Sequence, residues 1–266
     1  MSFVAKTARL WQIRQILWTL VVRDLRIRYA RSWLGYVWTV LDPLAMSAIY
    51  YLVFVHIFHR GDVGHKPYFL FLVIGLLCWQ WFSAAVTDTS RALLQEAKLV
   101  RSTSLPREIW VVRVVIAKTI EYLLSLPVLV AFTIIYAFRG EAHLNIRMLL
   151  FPLGVALEFV LLIGCGLLLA PVTALVTDTQ RVIRIILRMA FYVTPVIYAI
   201  VRVPSPWDKV FWFNPLTGIL ELLRAGFFAE PIVYGPVWAG ALVTVALLLL
   251  GAWTFGRLER AVLKEI

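Results

Sequence analysis

The chain of 266 residues is 62% hydrophobic and only 15% charged, whereas soluble domains are about 45–50% apolar and about 25% charged. A formal net charge of +11 would suggest nucleic-acid binding in a soluble protein, but here the basic residues flank long apolar segments, as they do in membrane proteins. Composition therefore predicts an all-α integral membrane protein and argues against a nucleic-acid partner.

The first predicted element is an amphipathic helix within residues 1–35. Gln15 and Thr19 fall on one helical face with basic residues, and Leu17 and Leu20 fall on the opposite face. Such a helix is expected to lie in the cytoplasmic membrane interface, although an anchor that only sets orientation fits the same pattern. Four arginines of this segment are expected to face lipid phosphates: Arg23, Arg26, Arg28 and Arg31.

Residues 36–266 are predicted to form a transmembrane domain with six spans, because about 20 mostly apolar residues are needed to cross a bilayer. The predicted spans are residues 36–58, 68–86, 110–138, 148–176, 185–200 and 233–255. The fifth is short and contains Pro195. Eighteen of the 26 Lys and Arg residues fall in segments 1–35, 88–113, 177–188 and 257–266, so the positive-inside rule places both termini in the cytoplasm.

Two connecting segments have patterns of their own. Residues 88–108 contain a helical pattern from Arg91 to Val100, which is typical of a short docking helix for a soluble partner. The segment from Asn214 to Pro231 is apolar and bounded by prolines, but it is too short to span, so a re-entrant or interfacial element on the outer side is predicted.

Charged residues inside spans cost about 2.5–3.5 kcal/mol each on insertion scales and therefore need an explanation. Lys118 and Glu121 lie three residues apart in the third span and are expected to pair. Glu158 in the fourth span and Asp42 in the first have no partner that the sequence identifies.

Aromatic residues make up 14% of the chain, and several lie deep within the first and fifth spans. Aromatic faces pack against the apolar faces of sugar rings, so these residues are candidates for a glycan path, while ordinary core or lipid-facing packing is the alternative. The candidates are Tyr50, Tyr51, Phe54, Phe191, Tyr192 and Tyr198.

The sequence predicts neither a catalytic site nor a bound cofactor. It contains no G-x-x-x-x-G-K-[ST], H-E-x-x-H or G-x-S-x-G motif, and its loops are too short to fold an ATPase domain. A histidine group, His56, His59 and His65, lies near Asp62 and has the atoms for a metal site. A loop with two glycines is poorly organised for metal binding, so ordinary loop histidines, and no metal, are expected.

Four segments, in chain order, resemble the permease subunits of type-2 ABC exporters for polysaccharide and teichoic acid. They are RDLRIRYARSWLGYVWTVLDPL, SLPREIWVVRVV, TDTQRVIRIIL followed by FYVTPVIY, and FNPLTGILELLRAGFF. The first carries the R-D-x-x-x-R-Y, L-G-x-x-W and P-L elements that are typical of this family. Together the four segments extend over nearly the whole chain.

The resemblance implies a transport subunit, not an enzyme, that moves lipid-linked cell-envelope glycan across the bacterial inner membrane. Two copies would work with two ATP-binding-cassette ATPases, which would hold ATP and Mg, and the interface arginines would lie near lipid phosphates or a polyprenyl pyrophosphate. The coupling helix seated in the ATPase would contain Arg91, Leu94, Glu96 and Lys98. The outer mouth would be closed with the help of Asn214, Glu221 and Arg224.

Three other functions compete with this interpretation. A type-2 permease for a drug or another small lipophile would share the fold. A membrane-embedded glycan-modifying enzyme would need an acid–base pair at membrane depth, and a proton-coupled carrier would need more acids near the midplane. The sequence is poor in both features.

Overall fold

The computed structural model describes residues 13–29, 35–59, 63–142 and 144–265. No strand occurs in these ranges, and most of their residues are helical. The α-helices are α1 (Arg14–Tyr29), α2 (Trp38–Tyr51), α3 (Tyr68–Ser90), α4 (Ala92–Gln95), α5 (Ala97–Ser102), α6 (Ile109–Phe138), α7 (Phe151–Leu175), α8 (Thr179–Val193), α9 (Trp207–Trp212), α10 (Pro215–Arg224) and α11 (Tyr234–Glu265). A π-helical segment, Leu52–Ile57, continues α2, and a 3₁₀ segment, Ile146–Leu150, precedes α7.

Five helical segments have the length and hydropathy of transmembrane spans: Trp38–Ile57, Tyr68–Ser90, Ile109–Phe138, Ile146–Leu175 and Tyr234–Glu265. They correspond to the first, second, third, fourth and sixth predicted spans. The prediction of an all-α, multi-pass membrane protein is confirmed. The longest of them, α11, continues well past residue 255, where the predicted sixth span ends.

The predicted fifth span, residues 185–200, has different bounds in the structure. Helix α8 begins at Thr179 and ends at Val193. Its fifteen residues extend over about 22 Å, which is less than the roughly 30 Å of a bilayer core. The helix stops there because Thr194 precedes Pro195 and adopts an extended conformation (ψ 137°). The count of six spans therefore stays a prediction.

Helix α3 lies at the centre of the bundle, and most of its side chains are buried. Its apolar residues pack against α6, α7 and α10 in one continuous core. Between membrane helices, close packing of small residues replaces the hydrophobic effect as the main source of association. Helices α7 and α11 use it: a side chain on Gly251 would collide with the carbonyl oxygen of Gly164.

A second core lies at one end of the bundle, called here the α1 end. Leu93, Val100 and Trp110 are buried there together with Phe255 of α11. Helix α1 covers this core with its predicted apolar face, since Leu17 and Leu20 pack against it.

The exposed surface of α1 is not uniformly polar. Trp18 and Ile27 are more than half exposed. Some apolar residues of α1 therefore stay available to lipid, although Leu17 and Leu20 pack on the protein.

Candidate functional site

Charged side chains of α1, the α4–α5 segment and α6 meet at the α1 end in a group called here the Arg113 cluster. The guanidinium of Arg113 is buried; it donates to the two carboxylate oxygens of Asp24 at 2.7 and 2.6 Å and to Glu96 at 3.3 Å. Arg23 also donates to Asp24 at 3.2 Å and to Glu96. Two cations thus alternate with two anions and connect three separate segments.

A second group, the Lys118 cluster, connects α1, α3 and α6. Lys118 is buried and lies 3.0 Å from Glu121 and 3.2 Å from Asp88. Arg28 approaches the same acids, at 2.5 Å from Asp88 and 3.4 Å from Glu121. The predicted pairing of Lys118 with Glu121 is confirmed, and both charges of the pair have further partners.

These ion pairs bear on the four arginines of the N-terminal segment that were expected to face lipid phosphates. Arg23 and Arg28 lie against carboxylates of the same chain. Arg26 is exposed, and Arg31 lies outside the described residues. Charge density along the sequence indicated the basic helix, but three of the acids that neutralise it lie 60 to 93 residues further along the chain: Asp88, Glu96 and Glu121.

The predicted docking helix from Arg91 to Val100 is two short helices with a break at Glu96 (φ −114°, ψ 24°). The break turns the carboxylate of Glu96 inward to the Arg113 cluster. One continuous helix would keep the backbone of Glu96 helical, so the predicted single helix is wrong at this residue.

The remaining predicted docking residues differ in exposure. Arg91 and Leu94 are half-buried, and Lys98 is exposed. Leu99 and Arg101 are also exposed beside Lys98, while Val100 is buried beneath them. The surface available to a partner is therefore centred on α5.

Helices α2, α3 and α8 frame a groove of about 380 Å³, called here the α2–α3–α8 groove. Tyr50 of α2 stacks on Phe191 of α8 with ring centroids 6.0 Å apart, and Trp79 of α3 meets Phe191 edge-on at 5.4 Å. Tyr192 also lines the groove and is mostly exposed. Trp79 was missed by the sequence analysis, although its place in the second span was a usable signal.

The other three aromatic candidates lie elsewhere. Phe54 packs on Tyr50 at 6.4 Å, one helical turn beyond the groove. Tyr51 contacts Phe69 at 5.8 Å and lines a separate cavity. Tyr198 lies after the end of α8, and its hydroxyl donates to the carbonyl of Tyr192 at 3.1 Å. Phe191 and Tyr198 therefore share no helical face, because α8 ends at Val193.

At the opposite end of the bundle, α10 is fixed by its polar residues. The Asn214 side chain accepts from the Leu216 amide at 3.1 Å and donates to the Thr194 hydroxyl at 2.8 Å. Glu221 accepts from the Val233 amide at 3.0 Å. Asn214 and Glu221, two of the three predicted outer-gate residues, therefore fix α10 to the chain segments beside it.

Arg224, the third predicted outer-gate residue, is buried and donates to the carbonyls of Pro195 and Val196, each at 2.7 Å. Its guanidinium also lies 3.5 Å from the centre of the Phe71 ring. Gly75 makes room for this contact, because a Cβ there would lie 2.5 Å from the guanidinium and 2.6 Å from the Val196 oxygen. Arg224 thus stabilises the irregular chain that follows α8.

The histidines do not form a metal site in the part of the chain that the structure describes, where no three His, Cys, Asp or Glu side chains are placed to hold a metal. Asp62 lies outside the described residues. His65 is instead 3.1 Å from Glu230 and lies between the rings of Phe71 and Phe228.

This environment gives a testable pH dependence. Burial lowers the pKa of His65; Glu230 opposes this shift, and Arg224 and Arg202 add to it. Because the folded-state pKa lies below the unfolded value of about 6.5, the stability that neutral His65 contributes is present above that pH and is lost as the pH falls. We expect the unfolding temperature in detergent to fall from about pH 7 to about pH 5, with a smaller decrease in His65→Gln. His56→Gln, at an exposed position, should keep the wild-type slope; equal slopes in all three proteins would contradict the assignment.

A family model described as ABC-2 type transporter matches residues 15–228. The chain is 28% identical over 242 residues to the O-antigen export system permease protein RfbA of Myxococcus xanthus, covering 90% of each chain. It is 25% identical over 237 residues to the RfbA protein of Klebsiella pneumoniae, covering 89% of each.

A protein named for another polymer is similar to a comparable extent. The polysialic acid transport protein KpsM of Escherichia coli is 25% identical over 252 residues, which are 92% of this chain and 93% of KpsM. The family match includes α1, the α4–α5 segment, the α2–α3–α8 groove and α10. The chain therefore belongs to the ABC-2 type transporter family.

Proposed function

We propose that this chain is the membrane subunit of an exporter of cell-envelope polysaccharide. The observation that carries the proposal is the similarity, over about nine-tenths of both chains, to proteins named for O-antigen export and polysialic acid transport. The α2–α3–α8 groove supports it, because its stacked aromatic rings offer faces for sugar rings.

The finer parts of the proposal concern cargo, partners and location. The cargo is a polysaccharide or teichoic acid linked to polyprenyl pyrophosphate, and the exporter is a dimer of this chain with two ATP-binding-cassette ATPases that hold ATP and Mg. The protein lies in the bacterial inner membrane with six spans, and both termini face the cytoplasm. The excess of Lys and Arg in the segments at the α1 end supports this orientation.

The contacts at the α1 end support a role for the N-terminal segment. Helix α1, its described part, is proposed as a cytoplasmic interface helix with the exposed Arg26 toward lipid phosphates or the pyrophosphate. The ATPase contacts α5 through Lys98, Leu99 and neighbouring residues.

The Arg113 cluster supports a path by which motion of the ATPase reaches the membrane helices. A displacement of the α4–α5 segment by the ATPase pulls on Glu96, which is bound to Arg113 of α6 and to Arg23 of α1. The third span and the interface helix therefore move with the docking segment. At the opposite end, α10 and its tethers, Asn214, Glu221 and Arg224, keep the outer mouth closed until polymer enters.

Purification from the native host in a mild detergent tests the partner assignment. We expect a chain with a Walker-type nucleotide site to co-purify in comparable amount, and Lys98→Glu combined with Arg101→Glu to lose it, because the exposed charge of α5 is reversed. Lys209→Glu, exposed on α9, should retain the partner. Absence of any nucleotide-binding chain after cross-linking would contradict the proposal, as would normal surface polysaccharide in a strain that lacks this chain.

A further inference from the structure

One end of the α2–α3–α8 groove is polar, and the proposed function does not account for it. Asp42, Gln80, Ser83 and Arg188 line this end, beside the aromatic residues. Asp42 lies eight residues before Tyr50 on α2, which is about 12 Å along the helix axis. The groove thus has aromatic walls toward the middle of the bundle and mixed polar groups toward the α1 end.

The two charged residues of this polar end are not neutralised within the described chain. Asp42 and Arg188 are both exposed, and neither forms an ion pair or a side-chain hydrogen bond with another described residue. A carboxylate inside a span costs about 2.5–3.5 kcal/mol on insertion scales, and such residues usually face a pathway or a ligand. The contrast with the Arg113 and Lys118 clusters is sharp, because there every described charge has a partner.

The donor and acceptor set identifies the chemical class of the ligand. The Asp42 carboxylate only accepts hydrogen bonds, the Arg188 guanidinium only donates them, and the amide of Gln80 and the hydroxyl of Ser83 do both. One negative and one positive charge give the groove no net charge, and Asp42 repels a phosphate. Neighbouring hydroxyl groups of a sugar satisfy all four side chains, while the rings of Trp79 and Phe191 offer faces to the apolar side of the sugar.

We propose that the polar end of the α2–α3–α8 groove is a sugar-binding subsite that reads hydroxyl groups of the polymer through Asp42, Gln80, Ser83 and Arg188. This inference rests on the proposed function and adds the residues that select the cargo. The groove volume of about 380 Å³ lies within the range of known small-ligand sites. Variation at these four positions is then expected to change which glycan is accepted, without changing the fold.

Photo-cross-linking in cells of the native host tests occupancy directly, since it needs no purified ligand. A photoreactive benzoylphenylalanine replaces Met46, which lines the groove, or Met189, which is exposed on α8 outside it. After irradiation, the intact transporter is purified and its chains are stained for carbohydrate and analysed for lipid by mass spectrometry. A carbohydrate adduct at Met46 and none at Met189 is expected. A phospholipid adduct, or no adduct, at Met46 would overturn the subsite.

Export assays with point variants test the roles of the side chains. Asp42→Asn and Arg188→Gln should each lower the rate of polymer export at least about tenfold, because each removes a charged hydrogen-bonding group, while unfolding temperature and ATPase binding stay at wild-type values. Arg184→Gln and Asp178→Asn, both exposed outside the groove, are the matched controls and should export normally.

The outcomes separate the two proposals. If the wild-type chain fails to restore surface polysaccharide in a deletion strain, the proposed function is wrong. If the wild type restores it and Asp42→Asn and Arg188→Gln export equally well, only the sugar subsite is wrong. If export falls only together with the unfolding temperature, Asp42 and Arg188 are needed for the fold, and the subsite is also wrong.

Discussion

Replacement of Arg224 by methionine is expected to destabilise the protein by about 3 kcal/mol or more. The guanidinium is buried and donates to the carbonyls of Pro195 and Val196. These carbonyls belong to irregular backbone after α8, so they lose their hydrogen bonds when Arg224 is removed, and no water is available in a packed interior. Thermal and denaturant unfolding of the purified protein in detergent measures the loss.

Two further variants make the Arg224 experiment specific. Arg224→Lys should lose less than Arg224→Met but stay well below wild type, because one ammonium cannot reproduce the forked donors of the guanidinium. Arg202→Met, at an exposed arginine, should unfold like the wild type. A change of less than about 0.5 kcal/mol in Arg224→Met, the usual range of surface substitutions, would refute the tethering role.

Replacement of Arg113 by methionine is expected to lower stability by about 3 kcal/mol, the lower range for breaking a buried ion pair. It leaves the carboxylates of Asp24 and Glu96 with Arg23 as their remaining partner in the cluster. Because these carboxylates hold α1 and the α4–α5 segment to α6, export should also fall sharply. Unfolding in detergent measures the stability loss, and limited proteolysis measures the release of the segment between α3 and α6. Surface polysaccharide in a complemented deletion strain measures export.

A double-mutant cycle isolates the contribution of the ion pair. Asp24→Asn combined with Arg113→Met should cost clearly less than the sum of the two single changes, with a coupling energy within about 0.5–3 kcal/mol. Arg101→Met, at an exposed arginine of α5, should affect neither stability nor proteolysis. Strictly additive losses, or wild-type resistance to protease in Arg113→Met, would contradict the assignment.

The buried cations have a common role in this fold. Arg113 holds a broken helix, and Arg224 holds the non-helical chain after α8. Polar groups of such segments that are buried away from water need partners, because neither a packed interior nor lipid offers hydrogen bonds of its own. Long basic side chains that reach from one helix to a neighbouring segment supply the hydrogen bonds that the segment's own backbone does not make. Asp42 and Arg188 of the groove differ, because they are exposed and bind no other described side chain. For that reason they are proposed to contact the cargo.

The amino-acid sequence determined the properties that depend on neighbouring residues. Five of the predicted spans have helices of membrane-spanning length in the structure, because the need to satisfy backbone groups within the bilayer makes a long apolar helix a local property. The pairing of Lys118 with Glu121 is likewise local, since three residues separate them on one helix. The family resemblance, which rests on motifs along the chain, is confirmed by the family match.

The tertiary structure decided the properties that depend on distant residues. Arg23 and Glu96 are 73 positions apart, and Arg113 and Asp24 are 89 positions apart, so the basic stretch showed its charge but not its partners. Tyr50 and Tyr51 are adjacent in sequence, yet one lines the groove and the other a separate cavity, because successive residues point about 100° apart around a helix and only the packing of α2 fixes which direction faces α8. The end of α8 at Val193 agrees with the local effect of Pro195, which disfavours helix at the residue before it. The position of the chain beyond α8 depends instead on Arg224, which lies 29 positions after Pro195.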